Sequence, residues 1–303
     1  MQPTPEKLSH LSNGIELCYD TFGDPGDPAL LLIMGLAGPL NWWDAALCSE
    51  LAERGYFVIR YDNRDVGRST RQPGRKGGRI DVVKTFVLGP RSQPPYVISD
   101  LATDAVGLLD HLDIGQAHVT GVSMGGMIAQ TVAIEHPDRV LSLVSMMSTT
   151  GRRTVGWQDP RLFPRLLAPA HKTREGYIDQ ELRTWKLIGS PGYRSSEQEV
   201  RARASETYDR GINRAGVMRQ MQAILAQPDR TAPLRDLTVP TLVVHGLADR
   251  LVHVSGGRAT AHAVPGAELV LVPGLAHDLP ADLWPVFVDG IDRTAQRARA
   301  AHP

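Results

Sequence analysis

The feature that most constrains this chain is the pentapeptide Gly-Val-Ser-Met-Gly at residues 121–125. The residues before it, 116–120, predict a short strand, and residues 126–133 predict a helix. A serine at such a sharp strand-to-helix turn exposes its hydroxyl above the sheet, and the next N–H is free to bind an oxyanion. The flanking glycines let strand and helix approach closely. The pattern predicts that Ser123 is a catalytic nucleophile; the alternative is a purely structural turn.

Short apolar segments alternate with helical segments on both sides of this turn. Such alternation favours right-handed crossovers and an α/β fold whose central sheet is mainly parallel and flanked by helices. The predicted strands are 15–20, 29–34, 57–61, 116–120, 140–146, 240–245 and 268–272, and the predicted core helices are 42–54, 98–112, 126–133 and a last one within 280–299.

The alternation stops near residue 150 and resumes at residue 240. About four helical segments lie between, among them 176–188, 197–209 and 215–226, with no convincing strand. We therefore expect a helical cap domain, 151–235, inserted into a core domain formed by 1–150 and 236–303. Such a cap would cover the carboxyl ends of the strands, where α/β sheets bind their ligands.

One long stretch, residues 71–96, has no clear secondary-structure pattern. We expect a loop there, because glycines and prolines interrupt it, and long loops are commonly functional or mobile. A second lid or a port for anionic substrates is one interpretation; a solvated basic surface is the favoured one. Its basic residues are Arg71, Arg75, Lys76, Arg79, Lys84 and Arg91.

The composition excludes several classes of protein. Lysine plus arginine and aspartate plus glutamate both number 33, so no net charge favours binding to nucleic acid or to an anionic membrane. No apolar run approaches the ~20 residues that a membrane span needs. The first residues lack the apolar stretch of a signal peptide, so the cytoplasm is the expected location. Cys18 and Cys48 are expected to be reduced packing residues. The oligomeric state is not predicted.

A serine hydroxyl needs a base, and the base needs an orienting carboxylate. In hydrolases with this elbow, the acid and then the histidine follow the serine along the chain. His277 lies in the loop after the last predicted strand and is the predicted base. The other candidate histidines are expected to be structural: His118, His136, His245 and His253.

For the acid, Asp249 follows a buried strand and lies between serine and histidine in the sequence. Its alternative interpretation is a turn-forming aspartate. Asp278 adjoins the base, and neighbouring side chains diverge, so it is poorly placed to hold His277. The other acid position known for this arrangement, after the strand that follows the elbow, falls at 147–151, which contains no carboxylate.

The oxyanion requires two N–H donors, and we predict those of Met124 and Leu36, the latter in the turn at 35–38. No phosphate-binding loop, dinucleotide fingerprint or metal-ligand spacing is found, so no cofactor and no metal are expected. The predicted substrate-binding residues are Trp42, Met127, Trp185 and Met218; the alternative is that Trp42 and Met127 are core residues and that Trp185 and Met218 only pack cap helices together. Further apolar candidates in the predicted cap are Leu162, Phe163, Leu166 and Met221.

Over its whole length the chain resembles the α/β-hydrolase-fold serine esterases. More narrowly, residues 22–35, 58–70, the elbow and 273–277 are similar to aclacinomycin methylesterase and related actinobacterial hydrolases. The resemblance implies a nucleophile at Ser123, an acid at Asp249 and a base at His277, and it places the 62–69 segment at the active-site rim. Where many relatives have His-Gly, this chain has Met34 before a glycine.

These patterns predict a hydrolase that cleaves carboxylic esters through an acyl-enzyme. The expected substrates are small or methyl esters of apolar molecules, and the narrower resemblance implies a methyl ester on a bulky polyketide. A closed apolar pocket implies soluble short-acyl or compact methyl esters that are cleaved without activation at a lipid interface. Two alternatives use the same fold. One is hydrolysis of C–C bonds in β-diketone-like substrates, and the other is a non-enzymatic ligand receptor.

Overall fold

The computed structural model describes residues 1–73, 78–162, 171 and 173–301. Its centre is an eight-stranded sheet in the order β1-β2-β4-β3-β5-β6-β7-β8. β1 and β4 run antiparallel to β2, and all other neighbours are parallel, which confirms a mainly parallel sheet. The strands are β1 (Lys7–His10), β2 (Glu16–Phe22), β3 (Ala29–Ile33), β4 (Phe57–Tyr61), β5 (Ala117–Val122), β6 (Val140–Met146), β7 (Thr241–Gly246) and β8 (Glu268–Val272).

Helices cover both faces of this sheet, which explains why central strands such as β3 are wholly apolar. On one face, Leu31 and Ile33 of β3 join a core that α3 and α4 complete. On the other, Leu30 and Leu32 pack with α1 and α9. The described helices are α1 (Ala45–Glu53), α2 (Arg79–Leu88), α3 (Ile98–His111), α4 (Met124–Glu135), α5 (Arg174–Ile188), α6 (Glu197–Arg210), α7 (Arg214–Ala226), α8 (Ser255–Ala263) and α9 (Trp284–Ala301). None of these is both long and apolar enough to cross a membrane.

Helices α5, α6 and α7 lie between β6 and β7 in the chain, in the region where a cap is predicted. α5 and α6 share a small apolar cluster that includes Ile178, Leu182 and Val200. α7 instead packs against α2, and its Ala223 belongs to the core on the α3–α4 face of the sheet. The inserted helices therefore have one part with its own core and one part anchored in the sheet domain. Phe163 and Leu166 lie outside the described residues.

The expectation of a continuous loop at 71–96 is wrong, because Arg79–Leu88 forms α2. Val82 and Thr85 are buried on this helix, whereas Ile80 and Phe86 are exposed. Its apolar residues are spread around the helix, so the periodicity that marks an amphipathic helix is weak in the sequence. Arg75 and Lys76 lie outside the described residues.

Both cysteines are free thiols in the structure, and both are buried. Burial raises the pKa of Cys18 and of Cys48 to about 12, so both thiols stay protonated at neutral pH. They behave as the packing residues that the sequence predicts.

A buried histidine in the central sheet makes stability depend on pH. His118 on β5 is 2% exposed, its Nδ1 contacts the Ser142 hydroxyl at 2.8 Å, and burial lowers its pKa from 6.5 to about 4. In the unfolded chain His118 binds a second ring proton as the pH falls below 6.5, whereas in the folded chain it does so only near pH 4. Stability is therefore unaffected above pH 6.5 and is lost as the pH falls, by up to about 3 kcal/mol from this group.

We expect His118→Gln to flatten the pH dependence of the unfolding free energy between pH 6.5 and 4. Urea unfolding at half-unit pH intervals measures the two curves. The wild-type curve should fall more steeply, by up to ~1.4 kcal/mol per pH unit for one proton. Parallel curves for wild type and variant would contradict the assignment of this proton to His118.

Candidate active site

Ser123 lies at the tip of the turn that joins β5 to α4. Its backbone is in a positive-φ conformation (φ 58°, ψ −119°), which is strained for a residue with a Cβ atom. Its N–H donates to the Met146 carbonyl at 2.8 Å, which fastens the turn to β6. A Cβ atom at Gly121 would overlap the backbone of Gly125, and one at Gly125 would overlap the Ile33 carbonyl. The two glycines are thus required by the close approach of strand and helix.

Three side chains from three loops at the carboxyl ends of the strands form a hydrogen-bonded chain. His277 Nε2 lies 2.9 Å from Ser123 Oγ, and His277 Nδ1 lies 2.7 Å from Asp249 Oδ2. Ser123 follows β5, Asp249 follows β7 and His277 follows β8. The structure therefore brings together the three residues that the sequence selects. Asp249 and His277 are both buried, so little water competes for these contacts.

The Asp249 carboxylate is held as an acceptor on both oxygens. Oδ1 accepts the N–H groups of Leu251 and Val252, each at 2.9 Å, while Oδ2 faces His277. A second histidine, His245, places Nε2 3.5 Å from Oδ2 and 2.8 Å from the Val252 carbonyl oxygen. Burial lowers the pKa of His245 and keeps it neutral. The sequence predicts a structural role for His245, and no local signal marks its place beside the acid.

Asp278 points away from its neighbour His277. Its carboxylate accepts the Ser190 N–H at 3.2 Å and also the Ser190 hydroxyl. Burial raises the pKa of Asp278, and the hydrogen bonds from Ser190 oppose that rise. The backbone N–H of His277 donates to the Ile188 carbonyl at the end of α5, at 3.1 Å. The histidine loop is therefore fastened to the inserted helices, and Asp278 takes part in that fastening.

The turn at 35–38 lies directly against the serine. A Cβ atom on Gly35 would be 3.1 Å from Ser123 Cβ and 3.6 Å from Ser123 Oγ. The backbone N–H groups of Leu36 and Met124 donate to no residue that the structure describes. Both predicted oxyanion donors are thus available for a ligand.

Two residues of the 62–69 segment hold the ends of this turn. Asn63 donates from Nδ2 to the Met34 carbonyl at 3.0 Å. Asp62 accepts the Leu40 N–H at 2.7 Å. Neither residue was singled out individually in the sequence, although the resemblance placed their segment at the active-site rim.

The predicted substrate-binding residues occupy different surroundings. The ring of Trp42 meets that of Trp185 edge to face at 5.5 Å, and Trp42 Nε1 donates to Thr207 on α6 at 2.9 Å. Met127 is 3% exposed and belongs to the apolar core beneath α4. Met218 is half-buried on α7.

A cavity of about 490 Å³ lies between α5, α6 and the segment that joins them. Its lining includes Trp185, Arg203 and Asp278, and the Arg203 guanidinium stacks over the Trp185 ring at 4.3 Å. Ser123 and His277 are not among the described residues that line it. Within the same described part of the chain, no group of three His, Cys, Asp or Glu side chains is arranged to hold a metal.

The sheet order, the elbow and the three loops at the strand ends define a recognised class of protein. The family model for the alpha/beta hydrolase fold matches residues 28–282, and the chain belongs to this family.

Two relatives of known name are similar over most of the chain. The rhodomycin D methylesterase DauP of Streptomyces sp. (strain C5) is 29% identical over 88% of this chain and 90% of its own length. The 3-oxoadipate enol-lactonase 2 of Acinetobacter baylyi is 29% identical over 80% of each. The crystal structure of the enol-lactonase from Burkholderia xenovorans LB400 superposes with a TM-score of 0.74 at 23% identity. It covers 96% of this chain and 100% of that one. The two relatives support a hydrolase that resembles the methylesterases, and the superposed structure supports the fold.

Proposed function

We propose that this protein is a carboxylic ester hydrolase that acts through a Ser123–His277–Asp249 triad and an acyl-enzyme. The observation that carries the proposal is the continuous hydrogen-bonded chain from Asp249 through His277 to Ser123 Oγ. This is the arrangement that serine hydrolases use to activate a hydroxyl that is otherwise a weak nucleophile at neutral pH.

In the acylation step, Ser123 Oγ attacks the ester carbonyl carbon and its proton passes to His277 Nε2. Asp249 Oδ2 accepts the Nδ1–H of the resulting imidazolium and stabilises its positive charge. The tetrahedral intermediate collapses, the C–O bond to the alcohol breaks, and His277 gives its proton to the departing alcohol. The products of this step are the free alcohol and an ester of Ser123.

Deacylation repeats the sequence with water. A water molecule attacks the acyl carbonyl while His277 Nε2 takes one of its protons. His277 then gives this proton to Ser123 Oγ when the acid leaves. In both steps the negative charge on the carbonyl oxygen is stabilised by the N–H groups of Leu36 and Met124, which are free to donate. No cofactor takes part in this scheme.

For the substrate we propose small or methyl esters of apolar molecules. The similarity to DauP, whose name gives its activity as a methylesterase, supports this choice. We further propose that residues 151–235 form a cap that closes the site, with Trp42, Trp185 and Met218 as substrate contacts. Met127 is not retained as a contact, because it is buried in the core beneath α4. A cytoplasmic location, and a small-molecule partner in place of nucleic acid or membrane, remain predictions.

A substrate panel tests the proposal. We expect saturable release of acid and alcohol from soluble methyl and short-acyl esters, with methanol measured directly for the methyl esters. Turnover should rise smoothly with concentration, because a closed pocket needs no lipid surface. Cleavage confined to β-diketones would favour the C–C hydrolase. A rate that jumps at the solubility limit, with long-chain triglycerides preferred, would contradict the closed pocket.

A further inference from the structure

A buried glutamine on α7 contacts the turn that lies against the serine. Gln220 is fully buried, and its Oε1 accepts the Ala37 N–H at 2.9 Å. Its Nε2 donates to the Arg64 carbonyl at 3.0 Å. Both ends of the amide are therefore used, and the side chain joins an inserted helix to two loops of the sheet domain.

Ala37 has a conformation that needs such support. Its φ is 60°, and the Gly38 N–H closes the turn on the Gly35 carbonyl at 3.2 Å. A positive φ at the third position of a turn suits glycine or asparagine, whereas alanine prefers the alternative form with negative φ. In that form the peptide between the two central residues is flipped, so the Ala37 N–H would point away from Gln220. The hydrogen bond therefore stabilises the observed form.

The flip would change the surroundings of the neighbouring Leu36 N–H. The Leu36 carbonyl would move to the side of the turn where the Ala37 N–H now lies, and the N–H would move to the opposite side. Both groups belong to the peptide next to the Leu36 N–H. Gly35 lies close to Ser123, since a Cβ atom there would be 3.1 Å from Ser123 Cβ, so a change in this turn would be felt at the serine. A displacement of about 1 Å at a positioned group can cost on the order of 100-fold in rate.

Gln220 is itself held firmly. Its neighbour Arg219 pairs with both carboxylate oxygens of Asp65, at 2.8 and 2.5 Å, and Asn213 at the start of α7 donates to Asp65 Oδ1 at 3.0 Å. These contacts fix α7 against the loop that follows β4. Asp62 and Asn63 of that loop hold the two ends of the turn, so Gln220 completes the support at its centre.

We propose that Gln220 is a positioning residue that fixes the turn at 35–38 and, through it, the Leu36 N–H as an oxyanion donor. Through this residue, the position of the inserted helix α7 affects the rate of the chemical step. This inference rests on the proposed ester hydrolysis.

The test compares Gln220→Met, which keeps the volume and removes both hydrogen bonds, with wild type. Removing an oxyanion donor outright costs about 10²–10³ in kcat. We expect a displaced donor to cost less, so kcat should fall about 10- to 100-fold while KM changes less than threefold. The rate constant for fluorophosphonate labelling should fall with kcat, with the labelled fraction of enzyme unchanged.

Gln222→Met is the matched control. Gln222 lies on the same helix and is also buried, but among the described residues its amide donates only to the Met218 carbonyl of that helix, at 3.3 Å. This variant should keep kcat within about twofold. Gln220→Glu retains an acceptor for the Ala37 N–H, but its second oxygen can bond to the Arg64 carbonyl only when the carboxyl group is protonated. This variant should therefore recover part of the activity that Gln220→Met loses.

A second variant and a measurement of hydrogen exchange test the proposal if Gln220→Met does not fold. Gln220→Asn keeps the polarity but is one methylene too short to reach Ala37, so it replaces the methionine variant if that protein does not fold. Hydrogen exchange of the Ala37 amide should be faster in either variant, and it needs no substrate. If wild type cleaves no ester, the proposed function fails and exchange still tests the contact. A folded variant with wild-type kcat, or unchanged exchange, would overturn the proposal.

Discussion

Ser123→Ala should lower kcat for any ester substrate by about 10⁶-fold. The loss is large because Ser123 Oγ is the atom that His277 Nε2 faces at 2.9 Å, and no other step of the scheme can proceed without it. Long end-point assays with purified protein at saturating substrate measure the residual rate of the variant. This rate is compared with that of the uncatalysed reaction.

The fold should survive this change. Alanine is smaller than serine, and the hydrogen bond that fastens the turn is made by the backbone N–H of residue 123. The thermal midpoint should therefore stay within a few degrees of wild type. A kcat within tenfold of wild type in a folded Ser123→Ala protein would remove the serine from the mechanism.

Asp249→Asn should lower kcat by about 10⁴-fold with the fold retained. The carboxylate accepts the Nδ1–H of His277 and thereby holds the tautomer in which Nε2 can take the serine proton. An amide keeps the shape of the group but presents an N–H₂ to one of its present donors: His277, or the N–H groups of Leu251 and Val252.

Asp278→Asn is the comparison variant, since that carboxylate lies next to the base in sequence but accepts from Ser190. We expect it to lower stability, by loosening the loop from α5, with a much smaller effect on kcat. If Asp278→Asn removed activity and Asp249→Asn did not, the assignment of the acid would be wrong.

The sheet could be predicted from the sequence because its signals are local. Strands such as β3 and β7 are short runs of mostly apolar residues, and the strand, glycine, serine and helix of the elbow are contiguous. β1 escaped prediction because its four residues, KLSH, contain only one large apolar side chain. α8 escaped because its sequence, SGGRATAHA, opens on a serine and two glycines, and glycine is a poor helix former.

The nomination of Ser123, His277 and Asp249 was possible because chain order and loop position restrict the choice. Contacts between distant segments carry no such signal. Gln220 and Ala37 are 183 positions apart, and neither residue type suggests the other. The place of His245 beside Asp249 likewise depends on how the loop after β7 folds back. The orientation of the active-site turn is decided by tertiary contacts that a sequence pattern does not encode.

The central claim is that Ser123 is the nucleophile of an ester hydrolase, and covalent labelling tests it most directly. A fluorophosphonate probe should react with the wild-type protein at one equivalent, and mass spectrometry of the peptides should place the adduct on Ser123. Labelling should disappear in Ser123→Ala and be strongly slowed in Asp249→Asn, together with ester turnover. An adduct on another residue, with ester hydrolysis intact in Ser123→Ala, would contradict the account.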